Sequence, residues 1–279
     1  MTKNKKKSKT SYIEQMNNPT TTEAHKLYLL THYKKIKRIR ILQVLIIVSF
    51  IVFWEASTYF NIIDSFVFSS PSRFIRTFIN MSMDGSIFYH TGITLAETFL
   101  SFAIVVVFGI LIAVLLWWND SAAKVVEPYL VVLNSLPKSA LAPVFIVWLG
   151  NNMKTIIVCA VSVAIFGNII NLFTAFNEVE EGKIKLIRTL GGNKKDILFK
   201  VVLPSNIPVI LSNMKVNIGA SLVGVIIGEF LAAKAGLGYL IIYGSQVFQL
   251  DLVIMSVVIL CVVATGLYQL LSVFERKYT

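Results

Sequence analysis

The chain has 279 residues, of which 56% are hydrophobic and only 15% charged, with a net charge of +11 and a mean hydropathy of +0.72. Soluble domains are about 25% charged, so a water-soluble globular protein is excluded. Cys159 and Cys261 both fall in apolar runs with no CxxC spacing, which excludes a disulfide framework or a zinc knuckle.

In chain order, residues 1–38 form a basic leader, read as a cytoplasmic tail whose first 25 residues are rich in Lys, Asn, Ser and Thr and lack the apolar content to fold. The leader is too long for the charged region of a signal peptide, and no small-residue cleavage site follows it. The first apolar run is therefore expected to stay as an anchor. Residues 39–279 read as one transmembrane domain, all-α and polytopic. Six apolar runs approach or exceed the roughly 20 residues that cross a hydrocarbon core: 41–60, 87–117, 125–149, 155–176, 207–233 and 252–274. The third contains Pro137, Lys138 and Pro143 and is expected to be broken, since each proline removes a backbone donor.

The charge has a topological explanation. Eleven of the 26 Lys and Arg residues precede Ile41, six lie in an insert at 177–204, and Lys124, Arg276 and Lys277 fall on the same side of a six-span chain. Only Arg73, Arg76, Lys154 and Lys234 fall on the other side. The positive-inside rule then makes both termini and the insert cytoplasmic. A nucleic-acid partner is not needed to explain the basic residues.

The insert reads NEVEEGKIKLIRTLGGNKKDILFKVVLP. Ile184, Ile187 and Leu190 recur at helical spacing, and Gly191-Gly192 ends the run with a residue able to take the left-handed conformation. Asn193 and Asp196 have the spacing of a capping box for a second short helix, which Pro204 is expected to end at Leu203. A helix–Gly–helix with an apolar stripe on one side of a bilayer is a docking surface, and a chain with a docking surface is a subunit.

Within the spans, Glu97, Glu229 and Lys138 are expensive in lipid and are expected to face protein or a watery cavity, with Glu55 near the end of the first span. Glu97 and Glu229 are read either as interhelical bonds that hold the bundle or as lining of a translocation route. Ala220, Gly224, Gly228 and Ala232 lay a small-residue stripe along the fifth span, where another helix can approach closely. Gly236 and Gly238 then turn the chain before a short apolar stretch, and 71–79 reads as an amphipathic interfacial helix.

No catalytic pattern is present. His25, His32 and His90 are scattered without metal spacing, there is no G-x-S-x-G elbow, and Gly191-Gly192-Asn193-Lys194 lacks the spacing and the Ser/Thr of a phosphate-binding loop. If nucleotide hydrolysis drives this chain, another subunit performs it. No catalytic, metal or cofactor residue is assigned.

The insert resembles the EAA loop of type I ABC importer permeases, in the nitrate/sulfonate/taurine class. Gly191 is followed after nine residues by Val201-Val202-Leu203-Pro204, and Arg188-Thr189-Leu190-Gly191 has the form common in the class. Further matching stretches are Ser70–Ser72, Leu136–Pro143 with Trp148-Leu149-Gly150, and Gly228-Glu229-Phe230 through Tyr239. One departure is plain: Lys185-Leu186-Ile187 stands where the family has Glu-Ala-Ala. The resemblance implies a MetI-like permease fold and no enzymatic activity in this chain. It implies a second permease copy, an ATPase dimer contacted through Lys185–Gly192 and Leu203-Pro204, and an extracytoplasmic binding protein that delivers a small solute. The spans hold Lys138 and Lys215 but no Arg cluster, which favours a neutral or heterocyclic solute over an anion.

Two other classes fit part of the pattern. A proton-coupled secondary transporter would use Glu97 or Glu229 as carriers but leaves the insert without a role. A membrane scaffold would need the docking surface but not the intramembrane charges. An ATPase subunit that co-purifies with the chain separates the importer from both.

Overall fold

The computed structural model describes residues 22 to 278, and the described residues are helical apart from short connections. The leader reading on residues 1–21 lies outside the described residues. From Glu23 onward the leader is helical rather than a tail, because α1 (Glu23–Tyr59) runs unbroken from the basic segment into the first apolar run.

The chain divides into two units, Met1–Pro71 and Ser72–Thr279. In the first, α1 turns at Asn61, which has a positive φ of 54°, and leads to the single-turn α2 (Ser65–Phe68). Asp64 caps α2, its carboxylate accepting from the Phe66 amide at 2.8 Å.

The second unit is the helical bundle. Here α3 (Pro71–Met83) is amphipathic and begins with proline at its first position, where the missing N–H costs nothing. Its Phe74 and Met81 pack on the bundle core, and the Arg73 guanidinium pairs with Asp251 at 2.9 Å. The long α4 (Ser86–Trp118) is followed by α5 (Asp120–Ser135) and α6 (Lys138–Leu149), which meet at a 96° bend at Leu136-Pro137. This is the broken span expected from the prolines. The Lys138 ammonium donates to the Asn134 carbonyl at the end of α5, satisfying an acceptor that the break leaves without a helical partner. Asn152 then caps α7 (Met153–Asn177), accepting from the amides of Lys154 and Thr155.

After α7 come α8 (Glu181–Thr189), α9 (Lys194–Ile197), α10 (Leu203–Ala232), α11 (Leu237–Gln246) and α12 (Leu250–Tyr278). Among the described residues five helices are long and apolar enough to span a bilayer, and six if the bent α5–α6 pair is counted as one span. The expected stop before Pro204 does not occur. A π-helical turn at Leu198–Val202 joins α9 to α10, and Pro204 sits in the first turn of α10. The wider turn relieves the proline ring from the carbonyl it would strike in a regular helix, so the chain runs on instead of ending.

The centre of the bundle is α4, α7 and α10. The small-residue stripe packs inside the chain: a Cβ at Gly224 would lie 2.5 Å from Ala160 Cα, and one at Gly228 would lie 2.9 Å from Ile156 Cα. That close approach is the main source of helix association where lipid is as apolar as leucine.

Candidate functional site

At the insert, α8 ends in a Schellman motif. Gly191 has φ +81°, its amide donates to the Arg188 carbonyl at 3.0 Å, and the Gly192 amide reaches back to Ile187 at 2.9 Å. Gly192 has its own constraint, since a Cβ there would lie 2.4 Å from Ile187 Cγ2. The capping box at Asn193 and Asp196 forms as expected, with both reciprocal bonds present.

The two short helices divide their apolar residues between two faces. Ile184, Ile187, Ile197, Leu198, Val202 and Leu203 pack onto Ala113, Leu172 and Phe176 at the ends of α4 and α7. Leu186, Leu190 and Phe199 point away and remain 59%, 75% and 66% exposed. The stripe read as one docking face is thus split, because the insert must first bury Ile184 and Ile187 to hold itself against the bundle. Lys185 pairs with Glu181 one turn back at 2.9 Å, and this ammonium holds the Glu181 carboxyl below its ordinary range through a hydrogen bond and its charge. Lys194 is the tether. Its ammonium donates to the Trp118 carbonyl at the end of α4 at 2.7 Å and lies 5.5 and 5.8 Å from the Trp117 and Trp118 rings. A cation at a helix C-terminus and over indole faces is favoured on both counts.

The opposite end of α4 is held just as tightly. Glu229, fully buried near the end of α10, accepts from the Gly238 amide at 2.5 Å and from Thr94 Oγ1 at 2.7 Å, and it also takes a bond from the Tyr239 amide. Thr94 Oγ1 accepts in turn from the Leu237 amide at 2.8 Å, and His90 Nδ1 accepts from the Gly236 amide at 3.0 Å. One carboxyl, one hydroxyl and one imidazole therefore cap the first amides of α11. Gly236 and Gly238 are needed for this approach, because a Cβ on either would lie within 2.7 Å of the Glu229 carboxyl oxygens. Glu97 lies beside Glu229 and lines a cavity of about 340 Å³ with Asn151, Asn152, Ile156 and Lys234.

The family model for the inner membrane component of binding-protein-dependent transport systems matches residues 105–279. The chain belongs to that family. It is 29% identical over 188 residues to the formylaminopyrimidine transport permease of Halalkalibacterium halodurans, covering 67% of this chain and 74% of that one. It is 21% identical to the taurine transport system permease of Escherichia coli, over 82% of this chain and 84% of the relative. Among solved structures, a chain of the MetNI methionine ABC transporter in an inward facing conformation aligns with a TM-score of 0.63 at 22% identity, over 71% of this chain and 98% of that one. The MetI-like permease fold is thereby established.

The expected site residues of this ABC importer permease occupy four separate places. Lys185 to Gly192 form the exposed end of the insert, while Leu203 and Pro204 lie at its return to α10. Glu97 and Glu229 meet at the far end, and Gly224 and Gly228 face α7. Pro137 and Lys138 stand at the bend, Pro143 lies within the continuous α6, and none of the three lines the Glu97 cavity. Sequence reading missed Lys194, the capping roles of His90 and Thr94, and an asparagine rung in which Asn213 donates to Asn168 and Asn168 to the Val105 carbonyl, both at 2.7 Å. The asparagines inside the apolar spans, Asn168, Asn171 and Asn213 among them, were the available signal.

Proposed function

We propose that this chain is the pore-forming permease subunit of an ABC importer, and that the exposed face of its insert docks on an ATPase subunit. Leu186, Leu190 and Phe199 carry this reading. Three large apolar side chains are held outward by two short helices whose other face is spent on the bundle, and this is what a coupling element needs. The excess of Lys and Arg supports a cytoplasmic insert and cytoplasmic termini. The chain pairs with a second permease copy, and an extracytoplasmic binding protein delivers the cargo at the end where Glu97 and Glu229 lie.

The helix connections support an alternating-access mechanism. The insert is joined to α10 through the π turn and to α4 through Lys194, and both helices end in the Glu229–Thr94 cap on the far side. Movement of the insert on an ATPase is thus passed along two rigid rods to the outer mouth. Relatives named for formylaminopyrimidine and taurine support a small organic solute as cargo. The lack of an Arg cluster in the spans favours a neutral or heterocyclic one.

The test is native mass spectrometry of the complex released gently from the membrane. Two copies of this chain with two ATPase subunits are expected. A stable complex that lacks an ATPase would overturn the importer reading and leave the secondary transporter or the scaffold.

A further inference from the structure

The centre of α4, α7 and α10 has two closed polar rungs. Toward the far end is the Thr94–Glu229 bond, and toward the insert is the chain Asn213, Asn168, Val105 carbonyl. Between them lie four buried side-chain polar atoms without a partner: Glu97 Oε2, Ser101 Oγ, Asn217 Nδ2 and Ser221 Oγ. Among the described residues these are the only such atoms, and their residues are 2%, 0%, 4% and 0% exposed.

The helix registers bring the deeper three to one level. On α7, Ile156 faces Gly228, Ala160 faces Gly224 and Asn168 bonds Asn213, so Ala164 falls opposite Ser221 and Asn217. On α4, Val105 bonds Asn168, so Ser101, one turn earlier, is also level with Ala164. Three polar side chains thus converge where α7 contributes only a methyl group. Two other buried hydroxyls in the spans bond to their own helix, Thr98 to the Thr94 carbonyl at 2.7 Å and Ser256 to that of Leu252 at 2.8 Å. Ser101 and Ser221 do not. Glu97, one turn above Ser101, lines the 340 Å³ cavity at the far end.

We infer that the level of Ala164 is a buried water site, built by Ser101, Asn217 and Ser221 and reached past Glu97 from the far-end cavity. Buried polar groups are satisfied by protein or by ordered water, and a buried water makes about 3 hydrogen bonds, so about one or two molecules suffice. The chemistry selects water over a cation. The free atom of Asn217 is an amide donor, which repels a cation but donates to a water oxygen, and the same water can donate to Ser101, Ser221 or Glu97. Bonds through water can be exchanged as helices slide, unlike the glycine contacts above or the asparagine rung below.

Water-edited solid-state NMR of the full chain in bilayers, with the asparagine side chains labelled with nitrogen-15, tests this directly. Polarisation should pass from water to the Asn217 side-chain amide several-fold faster than to that of Asn168, whose two bonds are to protein. Ala164→Val, which fills the level, should slow Asn217 to the Asn168 rate. If that variant does not fold, the wild-type comparison alone decides. An Asn217 amide no faster than Asn168 overturns the inference. So does a shift of the Asn217 signal when sodium or potassium replaces N-methylglucamine, which would assign the site to a cation.

Discussion

Glu229 offers the sharpest test of how the far end is held. Its carboxyl accepts from two backbone amides of α11, those of Gly238 and Tyr239, and from the Thr94 hydroxyl. Glu229→Leu leaves both amides buried without an acceptor, at about 1–3 kcal/mol each, for a total of about 2–6 kcal/mol, while the Thr94 hydroxyl can turn to the His90 carbonyl 3.3 Å away. Glu229→Gln should behave differently. Its oxygen can keep the two amides, and its NH₂ can donate to Thr94 Oγ1. The Thr94 proton is then free for the His90 carbonyl, which already lies 3.3 Å away. The readout is thermal unfolding in nanodiscs, followed by labelling of the buried thiol of Cys159 in a Cys261→Ser background. At about 2–4 °C per kcal/mol for a domain of this size, Glu229→Leu should melt roughly 5–20 °C below wild type. Glu229→Gln should stay within a few degrees. Equal loss in both variants would show that charge rather than acceptor geometry holds the cap, and equal stability of all three would show that the cap holds nothing.

Other outcomes follow from named contacts. Lys194→Met removes a carbonyl bond and the indole contacts at the end of α4, a loss of about 1–2 kcal/mol. Substrate-stimulated ATP hydrolysis should fall several-fold while the ATPase still co-purifies, and Lys194→Arg should retain most of it. Gly224→Val places a side chain where even a Cβ lies 2.5 Å from backbone and should abolish transport, whereas Gly219→Ala, with nothing within 4 Å, should be silent in the same uptake assay. Single cysteines at Asn193 and at Asp84 should be labelled only from the cytoplasm and only from outside, respectively. Labelling of Asn193 from outside intact cells would reverse the orientation.

The sequence made local punctuation legible and left non-local pairing hidden. Gly191, Asn193 and Asp196 act on amides within a few residues of themselves, so their spacing was enough to draw the insert. Pro137 announced the broken span because the missing donor is its own, whereas α6 runs on through Pro143. Pro204 misled, since a π turn three-dimensionally equivalent to one extra residue can absorb a proline without any mark in composition. The partners of Glu229 stand on α4 and at the start of α11, 135 residues away in the case of Thr94. No single-sequence pattern links them. The facing of Ile187 and Leu190 in opposite directions likewise depends on where α4 and α7 end, which periodicity alone does not reveal.

In the proposed importer, the exposed apolar end of the insert transmits ATP hydrolysis to the pore. Leu190→Asp tests it most directly, because Leu190 is 75% exposed and its replacement leaves the packing of the insert on the bundle untouched. In proteoliposomes with the binding protein and ATPase present, the variant should insert and melt like wild type. It should lose ATPase association and substrate uptake together, since a carboxylate buried in an apolar groove costs several kcal/mol. Normal uptake by Leu190→Asp would contradict the account.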